Sequence, residues 1–121
     1  MSIATPLSAI ILLLAAGLCQ AADSSKAKNA YYGAIAYHAA SNSIGWASDR
    51  RTGREARIEA LKQCGREECV VVATVSRACA ALAKDAKKFA VQKGATRQEA
   101  ETKALGKCGA QCEVAAWTCT K

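Results

Sequence analysis

The chain has 121 residues, 51% of them hydrophobic but only 5% aromatic, and its 17 basic and 10 acidic side chains leave a formal charge of +7. That length holds one domain with a small core, and the apolar content is too high for wholesale disorder. No apolar run after residue 22 is long enough to cross a bilayer, which excludes a polytopic membrane protein.

The first element is an address segment. Residues 1–22 carry no Lys, Arg, Asp or Glu, and Ala9–Leu18 (AIILLLAAGL) is a compact apolar stretch. It is short for a membrane span but suits the hydrophobic region of a secretory signal. Small residues at Ala21 and Ala22 offer a cleavage site. The expected division is therefore a signal peptide over 1–21, a flexible leader over 22–29 (ADSSKAKN) and a single domain over 30–121. Secretion or release into the periplasm follows, with no transmembrane span after cleavage. Two alternatives keep the protein on the membrane: an uncleaved anchor over Ile3–Ala22, interrupted by Pro6 and Gln20, or lipidation of Cys19, which the bulky Leu18 disfavours.

Past the leader, Tyr31–His38 (YYGAIAYH) and Ser43–Ser48 (SIGWAS) alternate in size and polarity across a turn-prone Ala-Ser-Asn, and read as two strands. Thr52 followed by Glu55 is a capping box: the Thr oxygen accepts from an orphan helix N–H while the Glu reaches back to the cap. Ala56, Ala60, Leu61 and Cys64 then fall on one helical face, and Gly65 suits a left-handed stop. The spacing predicts a helix near 53–64, followed by a β-rich strand over Val70–Val75.

A shift of 44 residues lays this pattern on itself: Thr52, Glu55, Ala56, Ala60, Leu61, Cys64 and Gly65 recur as Thr96, Glu99, Ala100, Ala104, Leu105, Cys108 and Gly109. With one residue of slippage, Cys69, Val71 and Ala73 recur as Cys112, Val114 and Ala116. The second set of elements is thus Ala80–Lys84, Lys88–Gln92, a helix near 97–108 and Val114–Cys119. Two strand–strand–helix–strand repeats, about 31–76 and 79–120, predict a disulfide-stabilised α+β domain of two layers, about six strands with two helices on one face.

The run Tyr32-Gly33-Ala34-Ile35-Ala36-Tyr37, the later Gly45-Trp46-Ala47 and the Ala- and Cys-rich helix ending in Cys-Gly resemble a family of small exported bacterial proteins, domain of unknown function 4189. The resemblance spans roughly residues 30–119 and implies a fold and a compartment, but no chemistry. The second half departs from the pattern, with Lys88-Phe89-Ala90-Val91 in place of the Gly-Trp segment.

Loss of Cys19 with the signal leaves an even set of six cysteines, which in a small exported domain reads as disulfides. The repeat suggests their connectivity. Cys64–Cys69 and Cys108–Cys112 would each staple a helix end to its following strand, and Cys79 and Cys119, which lack repeat mates, would pair with each other. Zinc prefers two-residue Cys spacings or His partners, whereas these gaps are four and three residues and His38 is distant in sequence. Redox motifs place a Cys pair at a helix start, where the dipole favours a thiolate, and these begin at helix ends. No metal and no cofactor is expected.

No catalytic constellation emerges. His38 stands alone at a strand end, Glu55 and Glu99 are accounted for by capping, and Glu67-Glu68 falls in a loop. There is no phosphate loop, zinc-protease motif or nucleophile elbow.

The basic residues gather in two groups: Arg50, Arg51, Arg54 and Arg57 at the first helix start, and Lys84, Lys87, Lys88, Lys93 and Arg97 around the corresponding part of the second half. Cations at a helix start oppose its dipole, so the repetition has two readings, a solvated surface or an anion-binding face. Tyr31 and Tyr37 are the candidate aromatic contacts, whereas Trp46 is expected to fill space against the Ala-faced helix. The functional expectation is a non-enzymatic, exported binding domain whose partner is an acidic protein or an anionic envelope polymer. Nucleic acid is disfavoured, because basic clusters alone bind it without specificity. A secreted toxin or hydrolase with an unrecognised active site is the alternative.

Overall fold

The computed structural model describes residues 30–121, so the expected signal peptide and leader lie outside the described residues. The elements are β1 (Tyr32–His38), β2 (Ser43–Arg50), α1 (Gly53–Cys64), β3 (Val70–Ser76), β4 (Cys79–Lys84), β5 (Phe89–Gly94), α2 (Arg97–Cys108) and β6 (Glu113–Cys119).

Both helices begin and end as their sequences direct. The Thr52 hydroxyl accepts from the Glu55 N–H at 3.0 Å, and Thr96 does the same for Glu99 at 3.1 Å. The capping glutamates reach one residue beyond the cap, where Glu55 and Glu99 accept from the N–H groups of Arg51 and Ala95 at 3.2 and 2.8 Å. At the far ends Gly65 takes the left-handed conformation, whereas Gly109 departs from it with φ 121° and ψ 175°; both donate to the leucine four residues back, Leu61 and Leu105, at φ values that L-residues resist. Each helix buries only small groups: Ala56, Ala60 and Cys64 on α1, and Ala100, Ala104 and Cys108 on α2.

The strands form two antiparallel sheets of three, ordered β2–β1–β3 and β5–β4–β6. Each carries a register shift at the same level of its central strand, at Ile35/Ala36 in β1 and at Leu82/Ala83 in β4. The class, strand count and helix count agree with the sequence reading, but the layering differs. On β1, Ala34 and Ala36 pack on α1, while Ile35 and Tyr37 face the other way and meet Ala80, Leu82 and Ala116 of the second sheet. On β4, Ala81 and Ala83 pack on α2 while Ala80 and Leu82 face inward. The domain is therefore helix–sheet–sheet–helix, four layers with one helix on each outer face, not two layers with both helices on one face. The physical reason is that β1 and β4 are apolar at consecutive positions, and such strands need cover on both sides.

The central layer is thin. Among the described residues Ile35 and Leu82 are the largest fully buried side chains, each contributing roughly 1.5–3 kcal/mol. One buried hydrogen bond crosses between the sheets, from the Thr118 hydroxyl to the Ala47 carbonyl at 2.8 Å. The outer contacts are closer still. A Cβ on Gly45 of β2 would stand 2.1 Å from the Ala60 carbonyl oxygen and 2.3 Å from the Cys64 nitrogen, so α1 rests directly on the strand backbone there.

Three disulfides reinforce this small core: Cys64–Cys69, Cys108–Cys112 and Cys79–Cys119. The first two each tie a helix end to the loop before the next strand. The third joins residues directly opposite one another on β4 and β6. By the chain-entropy estimate the short loops contribute about 2 kcal/mol each and the 40-residue loop about 4 kcal/mol.

Candidate functional site

The basic residues do not form one face. Arg50 lies opposite Tyr32 at the start of β1, and α1 begins nearby, so Arg50, Arg51, Arg54 and Arg57 gather at that end of the sandwich. Lys84, Lys87 and Lys88 border a cavity with Tyr37 at the other end of β1, about 17 Å away at strand rise. Lys93 and Arg97 follow β5 away from that turn, since Phe89 lies opposite Lys84 while Gly94 lies opposite Cys79. The single contact surface expected from the sequence is thus split, because β5 carries its two ends to opposite edges of the fold.

Several of these charges are matched. Arg50 pairs loosely with Glu59 at 4.0 Å, Lys88 with Asp85 at 2.9 Å and Arg97 with Glu101 at 2.7 Å. Arg97 also stacks over Trp117, 3.9 Å from the ring centroid. The Lys93 carbonyl accepts from the Lys103 ammonium, and Lys103 bridges Glu99 at 3.3 Å. The Ala95 N–H, then Lys103, hold the Glu99 carboxyl below its ordinary range.

The β4–β5 turn is the most organised of the charged regions. Its Asp85 carboxylate accepts from the N–H groups of Lys87 and Lys88 at 2.7 and 2.8 Å, and from the Lys88 ammonium. The Lys87 N–H leads the effects that hold this carboxyl down to about 2, followed by the Lys88 side chain and N–H. One lysine of the turn is thereby neutralised and the backbone fixed, while Lys84 and Lys87 form no ion pair among the described residues. They face a cavity of about 540 Å³ lined also by Ala39, Asn42, Tyr37 and Phe89. The two rings of that lining meet edge to face at 4.9 Å. On the other flank of the turn, Glu113 lies opposite Lys84 in the β4–β6 register.

The aromatic assignments need correction. Tyr37 is 4% exposed and belongs to the core between the sheets, with burial pushing its hydroxyl pKa up, so it is not a free contact residue. Tyr31 is partly buried beside the start of β1. Trp46, expected to pack inside, is 48% exposed. Strand alternation turns it away from α1 and opposite Ile35, on the face toward the second sheet, and because β2 is an edge strand the indole stands at the rim of that layer. Trp117, which the sequence reading passed over, is 38% exposed. Together with Ser48 and the β6 segment Ala115–Cys119, the two indoles line a second cavity of about 370 Å³ between the edge strands β2 and β6. The signal that was available is the place of Trp117 between Ala116 and Thr118: strand alternation sends it away from those buried neighbours.

His38 hydrogen-bonds the Ser41 hydroxyl through Nδ1 at 2.5 Å, and Ser41 meets Ser43 at 2.9 Å. Among the described residues no three His, Cys, Asp or Glu side chains converge to hold a metal, and no helix is long and apolar enough to cross a membrane.

Against known proteins, the family model for domain of unknown function 4189 matches residues 32–119, from the first residue of β1 to the last of β6. The chain belongs to the DUF4189 family. The NMR structure of Rv1813c from Mycobacterium tuberculosis is similar to this DUF4189 domain at 32% identity, with a TM-score of 0.61 over 74% of each chain. Comparison with curated protein sequences finds no significant match. The family description names no activity, so the role of this DUF4189 domain has to be argued from its surface. Its three disulfides point to an oxidising environment, extracellular or periplasmic.

Proposed function

We propose that the domain is an exported, non-enzymatic binding module that holds an anionic partner, an acidic protein or an anionic envelope polymer, with the lysine turn between β4 and β5. The carrying observation is the 540 Å³ cavity with Lys84 and Lys87 on its rim and Asp85, the sole acid of its lining, already taken up by the turn itself. A rigid turn loses little conformational freedom on binding, and unmatched ammonium groups beside a concave surface attract anions. The arginines of α1 lie on a convex helix surface and serve solubility in this reading. The disulfides and the charge of +7 support work outside the cytoplasm on a negatively charged partner.

Titration calorimetry with poly-L-glutamate tests the assignment. Binding is expected to weaken steeply as salt rises, and Lys84→Gln/Lys87→Gln/Lys88→Gln to lower affinity at least tenfold. Arg51→Gln/Arg54→Gln/Arg57→Gln should lower it less than threefold. The reverse ranking would move the site to α1, and no saturable binding at low salt would remove the proposal.

A further inference from the structure

The chain has two tryptophans, and both stand at the surface, on neighbouring edge strands of different sheets and on one cavity. This is unusual placement for a domain whose buried layers are built mainly from Ala. A single exposed indole needs no explanation, but two bordering one groove mark a recognition surface.

The groove is also fixed in place. Trp117 is covered on one face by the Arg97 guanidinium, which Glu101 holds at 2.7 Å, so the ring is tied to α2. Trp46 follows Gly45, where β2 is pressed against α1. The floor is held by the Thr118–Ala47 hydrogen bond and by the Cys79–Cys119 disulfide beside it.

Charge complementarity decides the kind of occupant. The lining is Trp46, Ser48 and Ala115–Cys119, with no ionic side chain, and Arg97, which stacks on Trp117, is already matched by Glu101. The walls are flat aromatic surfaces, and the polar groups between them are a hydroxyl and the outer main-chain groups of two edge strands. A ligand with apolar faces, a rim of hydroxyls and no charge fits this set. We propose that the Trp46–Trp117 groove binds a neutral oligosaccharide segment, with sugar rings laid on the indoles and their hydroxyls bonded to Ser48 and the strand edges. This site is separate from the lysine turn and does not depend on it.

Tryptophan fluorescence of the disulfide-bonded mature protein provides the test, with hexaoses of β-linked glucose and of β-linked N-acetylglucosamine as probes. Saturable quenching by at least one hexaose is expected. Trp46→Ala and Trp117→Ala should each weaken it at least tenfold, with partial rescue by Trp→Tyr, and the Lys84/Lys87/Lys88 variant should bind as the parent does. Because both side chains are exposed, circular dichroism of the variants should be unchanged, which separates loss of binding from loss of fold. Failure of both hexaoses, binding that survives Trp46→Ala with its fold intact, or saturation by a proline-rich decapeptide instead would overturn the proposal.

Discussion

Adding one methyl group should have opposite effects at two glycines of this fold. In Gly45→Ala the new Cβ meets the Ala60 oxygen at 2.1 Å and the Cys64 nitrogen at 2.3 Å, both backbone atoms of α1. Neither can rotate aside, so the helix has to lift by roughly 1 Å and give up its contacts with Ala34 and Ala36 along the whole face. Overpacking of a core typically costs 1–3 kcal/mol, and the obstruction here places this case at about 3 kcal/mol. In Gly106→Ala the methyl meets nothing within 4 Å, on a helical residue without positive φ. There the lower entropy of the unfolded chain and better helix propensity should stabilise by up to about 1 kcal/mol. Urea denaturation in oxidising buffer reads both values, and in thermal melts the Gly45 variant should fall by roughly 12 °C or more. A neutral Gly45→Ala would show that α1 does not rest on β2 as described, and a destabilising Gly106→Ala would contradict the open surface on α2.

The disulfides should rank by loop length: Cys79→Ala/Cys119→Ala is expected to lose about 4 kcal/mol and Cys64→Ala/Cys69→Ala about 2 kcal/mol, read by the same denaturation. Equal losses would mean that strain or residual unfolded structure outweighs chain entropy. Asp85 should titrate near 2 in the folded protein, seen by carboxyl carbon NMR. Because its folded pKa lies below the unfolded value, its contribution to stability is present above about pH 4 and is lost as pH falls toward 2. A midpoint near 4 would mean that the turn is not held by the Lys87 and Lys88 N–H groups.

The helices were legible almost to the residue, because caps, Ala faces and terminal glycines act within a few positions of one another. The predicted ranges 53–64 and 97–108 are those of Gly53–Cys64 and Arg97–Cys108. Strand positions were legible to within two residues from alternation and turns. The layering was not extracted, although Ala34–Tyr37 and Ala80–Ala83, apolar without a break, carried the sign of strands covered on both faces. The site was the least legible part. Sequence proximity grouped Lys84 to Lys88 with Lys93 and Arg97, and only the length of β5 separates them. Trp46 looked like core filling because its exposure comes from the place of β2 at the edge of its sheet, which no local pattern encodes.

The placement of the three disulfides governs how the molecule is held together as a covalent object. Cys64–Cys69 lies wholly in the first half, and Cys108–Cys112 and Cys79–Cys119 lie wholly in the second. The sheets are therefore connected covalently only through the short link at Arg77 and Ala78, where Arg77 is exposed and takes a φ of 56°. One cut there, on the carboxyl side of an arginine, leaves two internally cross-linked pieces with no bond between them. Their adhesion then rests on the Ile35–Leu82 layer, the Thr118 hydroxyl bonded to Ala47 and the Thr120 hydroxyl, which accepts from the Arg77 N–H. Cross-linking hardens each half against unfolding while leaving the union of the two dependent on noncovalent packing and one peptide segment.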